Sequence, residues 1–331
     1  MGRFALRTWA GVNGGVLGCA VLSHATSLLV RGARRDGGAT WAAAACGTAV
    51  LYIAVYLAAH LNLRGRKRAR ASGREATNAP SPLSISFWSV LWHPLGSACE
   101  RIAHERYLTS AARLPCWLPA AAPATALAPL LPPLASHALL YVLWMSLRLF
   151  AFEVVFDGLF YTAHRLVHAH PRVYQLVHKL HHRHTHDVWL LSSLQMSAPD
   201  VLLTHTLPVL GALALVRFEP GLELCVAKTY LLFQELYGHA GVEHRGRNFG
   251  PAPGLVQALG IELRAEDHQQ HHIQAACNFS KRFSLFDRFF GTYVPAASAR
   301  AKSPSEPRPR RTSPSSVAEA LMGFDAAAAI K

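Results

Sequence analysis

The side chains of this chain that could do chemistry are its histidines. There are nineteen in 331 residues, and fourteen lie between His164 and His272. They fall into spaced clusters. His164 and His168 are four apart, which sets both rings on one face of a helix. His178, His181 and His182 follow i, i+3, i+4 spacing, an arc of about 100° on one helix face, and His268, His271 and His272 repeat it. His239 stands in Gly238-His239-Ala240-Gly241, with His244 five residues on, and His184 and His186 trail the second cluster. A closed structural zinc site uses four ligands. Nine well-spaced imidazoles exceed that and suffice for two ions with four or five each. Imidazole suits zinc, copper, iron and nickel. Two irons with open positions could bind O2 between them and take hydrogen from an unactivated C–H bond. No Glu-x-x-His pattern accompanies the clusters, which separates this array from the soluble di-iron bundles.

Asp157 lies seven residues before His164, two turns away on the same helical face. It is expected to accept the N–H of a ligating histidine and fix its tautomer. Pro171 should end the first histidine helix or begin the next. His184, His186 and His244 divide evenly between ligand, supporting and surface roles. His24, His60 and His137 read as helix-packing or interfacial residues, and His93, His104, His170 and His205 as structural. Arg148 and Glu153 read as members of helix–helix ion pairs. Six scattered cysteines with no Cys-x-x-Cys pair argue against a disulfide framework or thiolate metal site.

The elements that must position these groups read as membrane helices. About half the chain is apolar, 16% is charged, and the net charge is +14. The basic residues cluster beside apolar segments, which suits an anionic membrane surface rather than nucleic acid. Residues 9–30 and 40–63 are each long enough to cross a hydrocarbon core of roughly 30 Å, and with the linker they make a hairpin anchor over residues 1–80. Arg64, Arg66, Lys67, Arg68, Arg70 and Arg74 follow and mark a cytoplasmic end. Residues 83–95 are expected to form a short interfacial helix. Residues 117–134 hold five prolines and argue against a straight helix there, whereas 136–156 reads as a firm helix. Residues 201–218 and 222–237 form an apolar hairpin around Glu219-Pro220-Gly221, which brings the later clusters back to the side of the earlier ones. Sharing the side of Arg64–Arg74 requires an even number of crossings before His164. Either the proline-rich stretch crosses, or the helix after it lies in the membrane without crossing. The expected fold is all-α: a polytopic membrane bundle with a cytosolic helical cap holding a histidine-rich di-metal site. A catalytic domain spans 81–295, and the Pro/Ser/Arg-rich tail, 296–331, is expected to be disordered.

Residues 157–293 resemble the fatty acid hydroxylase/sterol desaturase superfamily of membrane di-iron enzymes. The carriers are Asp157 with Tyr161, His164-Arg165 and His168; His178-Lys179 with His181-His182; Gly238-His239-Ala240-Gly241; and His268, His271 and His272. The stretch from Asn278-Phe279-Ser280-Lys281-Arg282-Phe283 to Gly291-Thr292 is similar to the family's closing signature. The resemblance implies that His164, His168, His178, His181, His182, His239, His268, His271 and His272 are both the metal ligands and the catalytic residues. It also implies two irons, O2 as co-substrate, and a lipid substrate that is hydroxylated or desaturated. Electrons would come from NAD(P)H through cytochrome b5 and its reductase, in the endoplasmic reticulum with the metal site facing the cytosol. The chain has no Gly-x-Gly-x-x-Gly loop. His93-Pro94-Leu95-Gly96 is a chance match to a haem motif, so the donor is expected to be a separate protein. Met196-Ser197-Ala198-Pro199-Asp200 stands where many members carry His-Pro and resembles the sterol side-chain hydroxylase branch. Gln269 and Phe286 replace the common Asp and Trp. A sterol is the expected substrate, with a fatty acid or sphingolipid the alternative. From another class, a histidine-rich metal transporter would carry its histidines at the bilayer midplane. Here they follow the apolar segments, beside Arg165, Lys179 and Arg183.

Overall fold

The computed structural model describes residues 3–33, 39–63, 87–108, 133–183, 190–239 and 249–295. The expectations for Arg64–Arg74, for most of the proline-rich stretch, for His184, His186 and His244, and for the tail lie outside these residues.

Helices α1 (Arg3–Ala33) and α2 (Ala39–Leu63) form an antiparallel pair. Apolar side chains gain nothing by leaving lipid for each other, so such helices associate through close backbone approach and hydrogen bonds. Ser23 Oγ donates to Gly47 O at 2.8 Å and Ser27 Oγ to Ala43 O at 3.1 Å. Gly47 has no room for a side chain, because a Cβ there would stand 2.9 Å from Ser23 O.

Helix α3 (Phe87–Ala103) continues through a π turn to Leu108. The interfacial helix expected at 83–95 is instead the start of a buried element packed on α2. Tyr52 Oη lies 2.7 Å from His93 Nδ1, and Arg31 pairs with Glu105. Pro94, Glu100 and Arg101 hide this helix from a hydropathy reading.

Helix α4 (Pro133–Ala169) absorbs both the expected helix at 136–156 and the first histidine pair. Its 37 residues span roughly 56 Å, well beyond a 30 Å hydrocarbon core. Its last turns therefore emerge on one side of the bundle and carry His164 and His168. Two short helices and two π turns follow: α5 (Pro171–Val173) with Tyr174–His178, and α6 (Ala198–Asp200) with Val201–Thr206. The latter runs into α7 (Leu207–Leu215). The chain turns at Gly221 (φ 105°) and returns along α8 (Leu222–Gly238). The cap is completed by α9 (Pro253–Ala258), α10 (Ala265–Ile273) and α11 (Leu285–Phe289). Among the described residues there is no strand, only an isolated bridge between Glu262 and Phe283.

Among the described residues, four helical segments are long and apolar enough to cross a membrane: Trp9–Ala33, Thr40–Leu63, Leu139–Ala169 and Ala198–Leu215. The chain is an integral-membrane protein. Phe152, Phe156, Leu213, Leu224, Leu231, Phe249 and Phe283 fill the core between bundle and cap. Charges inside the bundle are paired, as membrane burial demands. Arg148 bonds Glu223 at 2.8 Å and the Arg217 carbonyl at 3.0 Å, tying α4 to the turn before α8. Lys228 pairs with Glu100 and ties α8 to α3. Glu153 takes an amide partner, Gln234, rather than a cation.

The ends of the bundle are now distinguishable. Asn62 Nδ2 donates to Tyr237 Oη at 2.6 Å, and Trp9 Nε1 donates to Pro251 O at 3.0 Å. The start of α1 and the end of α2 therefore meet the cap. Helix α3 leaves the cap, where it touches residues 190–200, and runs to the opposite end beside α7. Helix α4 then returns. Residues 109–132, and with them most of the proline-rich route expected from sequence, lie outside the described residues. Gly47→Val should wedge α1 from α2 at a cost on the order of 2 kcal/mol, measured as a lower thermal midpoint of the detergent-solubilised protein. An unchanged midpoint would contradict the packing described.

Candidate metal centre

The nine histidines singled out from sequence converge beneath the cap in two adjoining groups. His164, His168, His178, His182 and His271 form one group; His181, His239, His268 and His272 form the other. Within each, one nitrogen per ring lies within 4.8 Å of all the rest. The spacing argument placed three rings of each triplet on one face, but the fold divides them. His181 leaves His178 and His182 for the second group, because the chain there changes from a π turn to a 3-10 turn. His271 leaves His268 and His272 for the first group, from the regular helix α10, which lies between the two. All nine are buried except His168, which is half-buried.

Backbone acceptors set the tautomers. His164 Nδ1 lies 2.8 Å from Phe279 O, His271 Nδ1 2.7 Å from Cys277 O, and His239 Nδ1 3.0 Å from Glu235 O. A carbonyl only accepts, so each Nδ1 carries the hydrogen and each Nε2 presents a lone pair. His178 Nδ1 is held at 2.8 Å by Asp200. The bare nitrogens then crowd one another. His164 Nε2 stands 2.9 Å from His178 Nε2, and His268 Nε2 stands 3.0 Å from His239 Nε2. With both tautomers fixed, no hydrogen lies between His164 and His178, and two lone pairs at that distance repel. Two imidazoles bound to one ion at about 2.1 Å each, roughly at right angles, would stand about 3 Å apart. The donor set thus fits a metal ion in each group. His182 Nε2 and His271 Nε2, both in the first group, are buried with no other partner among the described residues.

The residues expected from sequence to support the ligands are corrected in one case. Asp157 does not bond a histidine. Its carboxylate accepts the backbone N–H groups of Lys281 at 2.7 Å, Arg282 at 2.8 Å and Phe283 at 3.1 Å. Asp287 accepts those of Phe279 and Ser280 at 2.8 Å. Two carboxylates thus clamp the loop whose Phe279 carbonyl holds His164. Asn278 sits at φ 54° and ties this loop to Asp267 O and Val294 O. The carboxylate that does orient a histidine is Asp200, missed because no periodicity links it to His178. Its one local signal is the helix start at Ser197, whose hydroxyl accepts the Asp200 N–H at 3.2 Å. His93 and His205, read as structural, lie 4.2 Å apart between ring centres in the bundle core, with their planes tilted at 49°.

The cap imidazoles are held neutral. Burial, helped by neighbouring rings, keeps His181, His182 and His272 well below the ordinary histidine range. Burial, with the Lys281 ammonium next, does the same for His268 and brings His239 to about 3. Burial brings His271 to about 3, against the opposing pull of the Cys277 carbonyl.

The bundle and this centre define an integral-membrane helical protein with two histidine groups that could each hold a metal ion. Residues 149–292 match the fatty acid hydroxylase family model. The chain is 26% identical over 157 residues to fatty acid hydroxylase vlmA of Lecanicillium sp., covering 45% of this chain and 42% of that protein. It is 32% identical over 146 residues to an alternative squalene epoxidase of Phaeodactylum tricornutum, covering 44% and 40%. It is 29% identical over 140 residues to cholesterol 25-hydroxylase of Rattus norvegicus, covering 42% and 44%. The match thus spans under half the length of each of these relatives. No solved structure matches the chain.

Asp157→Asn should destabilise the fold by on the order of 3 kcal/mol, since an amide turns a donor toward buried N–H groups; chemical unfolding measures this. Acidification should also destabilise the metal-free protein. Its buried imidazoles are depressed, so the unfolded chain takes up protons first as pH falls below about 6.5. Stability should be full above that value and decline toward pH 3; a flat profile across that window would refute the neutral, buried cluster.

Proposed function

We propose that this chain is an O2-dependent di-iron oxidoreductase that hydroxylates or desaturates a membrane lipid, with a sterol as its substrate. The observation that carries the reading is the convergence of nine buried imidazoles in two groups, with the tautomers of four fixed so that Nε2 faces inward. One iron would be held by His164, His168, His178, His182 and His271, and the other by His181, His239, His268 and His272. Such a pair supplies O2 activation and the removal of hydrogen from an unactivated carbon. The chain's own side chains do the rest. Asp200 and three carbonyls orient rings, while Phe160 and Phe279 pack around the first group within about 6 Å and limit water. Relatives named for acting on a fatty acid, squalene and cholesterol support a lipid substrate.

Electrons would come from NAD(P)H through a separate donor, cytochrome b5 with its reductase. The location proposed is the endoplasmic reticulum, with the centre facing the cytosol. The orientation is supported by the end of α2 at the cap, immediately before the basic run Arg64–Arg74. A transporter would place its histidines at mid-bilayer; these sit on the last turns of α4 and in the cap, which favours an enzyme.

Purified protein should carry close to two irons per chain, read by elemental analysis, and zinc alone in an active preparation would refute the reading. His181→Ala and His271→Ala should each abolish product in lipid profiles of a yeast strain lacking its own sterol desaturase; unchanged turnover in both sinks the ligand assignment. Asp200→Asn should weaken iron retention roughly 10–100-fold in a chelator titration, by freeing the His178 tautomer.

A further inference from the structure

A cleft reaches the second histidine group from the side of α1 and α2. It encloses about 740 Å³ of atom-free space, mouth included, between Val12, Asn62, the last two turns of α8 and the start of α10, and His268 forms part of its wall.

Three features of its wall specify an occupant. First, Gly238 lines the cleft beside His239, and a Cβ built there meets nothing within 4 Å. The absent side chain leaves open space next to the second group. Gly250, on the same wall, has no such freedom, since its Cβ would stand 2.7 Å from the Tyr230 ring. Second, Gln234, one turn before Gly238, carries a directed acceptor. Its Nε2 donates to both Glu153 oxygens, at 2.9 and 3.1 Å. With Nε2 on the Glu153 carboxyl, Oε1 faces away from it. Gln234 Oε1 is then buried with no partner among the described residues. A buried acceptor without a donor is rare and invites one. Third, the cations along the wall are engaged. Lys281 bonds Glu235 at 2.7 Å, Arg264 lies 3.7 Å from Glu262, and Arg282 donates to Leu231 O at 2.9 Å and covers the Phe156 ring. Lys281 and Arg264 each face a carboxylate of the protein, so neither offers an unmatched charge to the cleft. The rest of the wall is aromatic and apolar, with Phe233 and Tyr237 prominent.

We propose that this cleft is the substrate site, and that it takes a neutral lipid bearing a hydroxyl, whose O–H donates to Gln234 Oε1 while Gly238 leaves room for the adjoining carbons beside His268. Gln234 selects the alcohol, and Gly238 sets how bulky the part reaching the metal centre can be. This assignment rests on the oxidoreductase reading for its meaning but not for its test, which measures binding without turnover.

The probe is a long-chain primary alcohol carrying a diazirine, applied to the full-length iron-loaded protein in phosphatidylcholine nanodiscs and mapped by mass spectrometry after illumination. Labelling should fall on residues 230–238 and 263–268. Octadecan-1-ol should compete roughly tenfold better than octadecane or stearate, because a site built around a hydroxyl leaves its own acceptor unpaired with anything else. Gln234→Leu should bring the three competitors within about threefold of each other. Gly238→Leu should abolish labelling and Gly238→Ala should retain it, with iron per chain and helical circular dichroism unchanged in both. Labelling confined elsewhere, stearate as the best competitor, or an unchanged alcohol preference in Gln234→Leu would overturn the proposal. The wild-type competition series decides the question even if a variant fails to fold. Intact labelling without any oxidised product would instead overturn the oxidoreductase reading and leave the cleft assignment standing.

Discussion

The structure depends on a set of N–H···O contacts that turn buried imidazoles inward. A neutral histidine has one donor and one acceptor nitrogen, and which is which follows from its neighbours. Here the Phe279, Cys277 and Glu235 carbonyls and the Asp200 carboxylate each claim an Nδ1 hydrogen. Four lone pairs are thereby aimed at shared points, where they repel unless a cation is present. The four acceptors come from three parts of the chain, so the centre exists only when α6, α8 and the loop after α10 are all in place.

The acceptors must themselves be held. The 278–284 loop has no regular hydrogen-bonding ladder, and it is stabilised by Asp157 from α4 and Asp287 from α11. The closing signature of the sequence is therefore a frame for His164 and His271 rather than a reactive segment. On the bundle side, Arg148–Glu223 and Lys228–Glu100 fix how α4, α3 and α8 sit relative to one another. Charges removed from water are costly unless matched, so these pairs resist sliding of the helices that carry the centre.

Much of the site was legible. The identity of the nine histidines follows from clusters whose spacing and number exceed what a solvated surface or a single structural ion would need. The hairpin around Gly221 was legible because Glu219-Pro220-Gly221 breaks two apolar runs. Helix α3 was not, because Pro94, Glu100 and Arg101 interrupt its hydropathy, and their burial depends on partners in α1, α2 and α8. Asp157 was expected to accept a histidine N–H, and it accepts three backbone N–H groups instead. Its assigned partner was wrong: helical spacing reports a shared face, whereas the donors that reached it lie some 125 residues on.

By itself, the sequence determined the histidine clusters, the membrane setting and the helical class, because residue type, count and local periodicity are properties of the chain alone. Only the tertiary structure decided how the histidines divide. His181 and His271 join groups that their own triplets did not predict, since each triplet lies between two sites and its rings point both ways. The tertiary structure also made Asp200 an orienting group and left space at Gly238 beside His239. Those outcomes depend on which distant backbone segment arrives opposite a given side chain, and no spacing along the chain encodes that arrival.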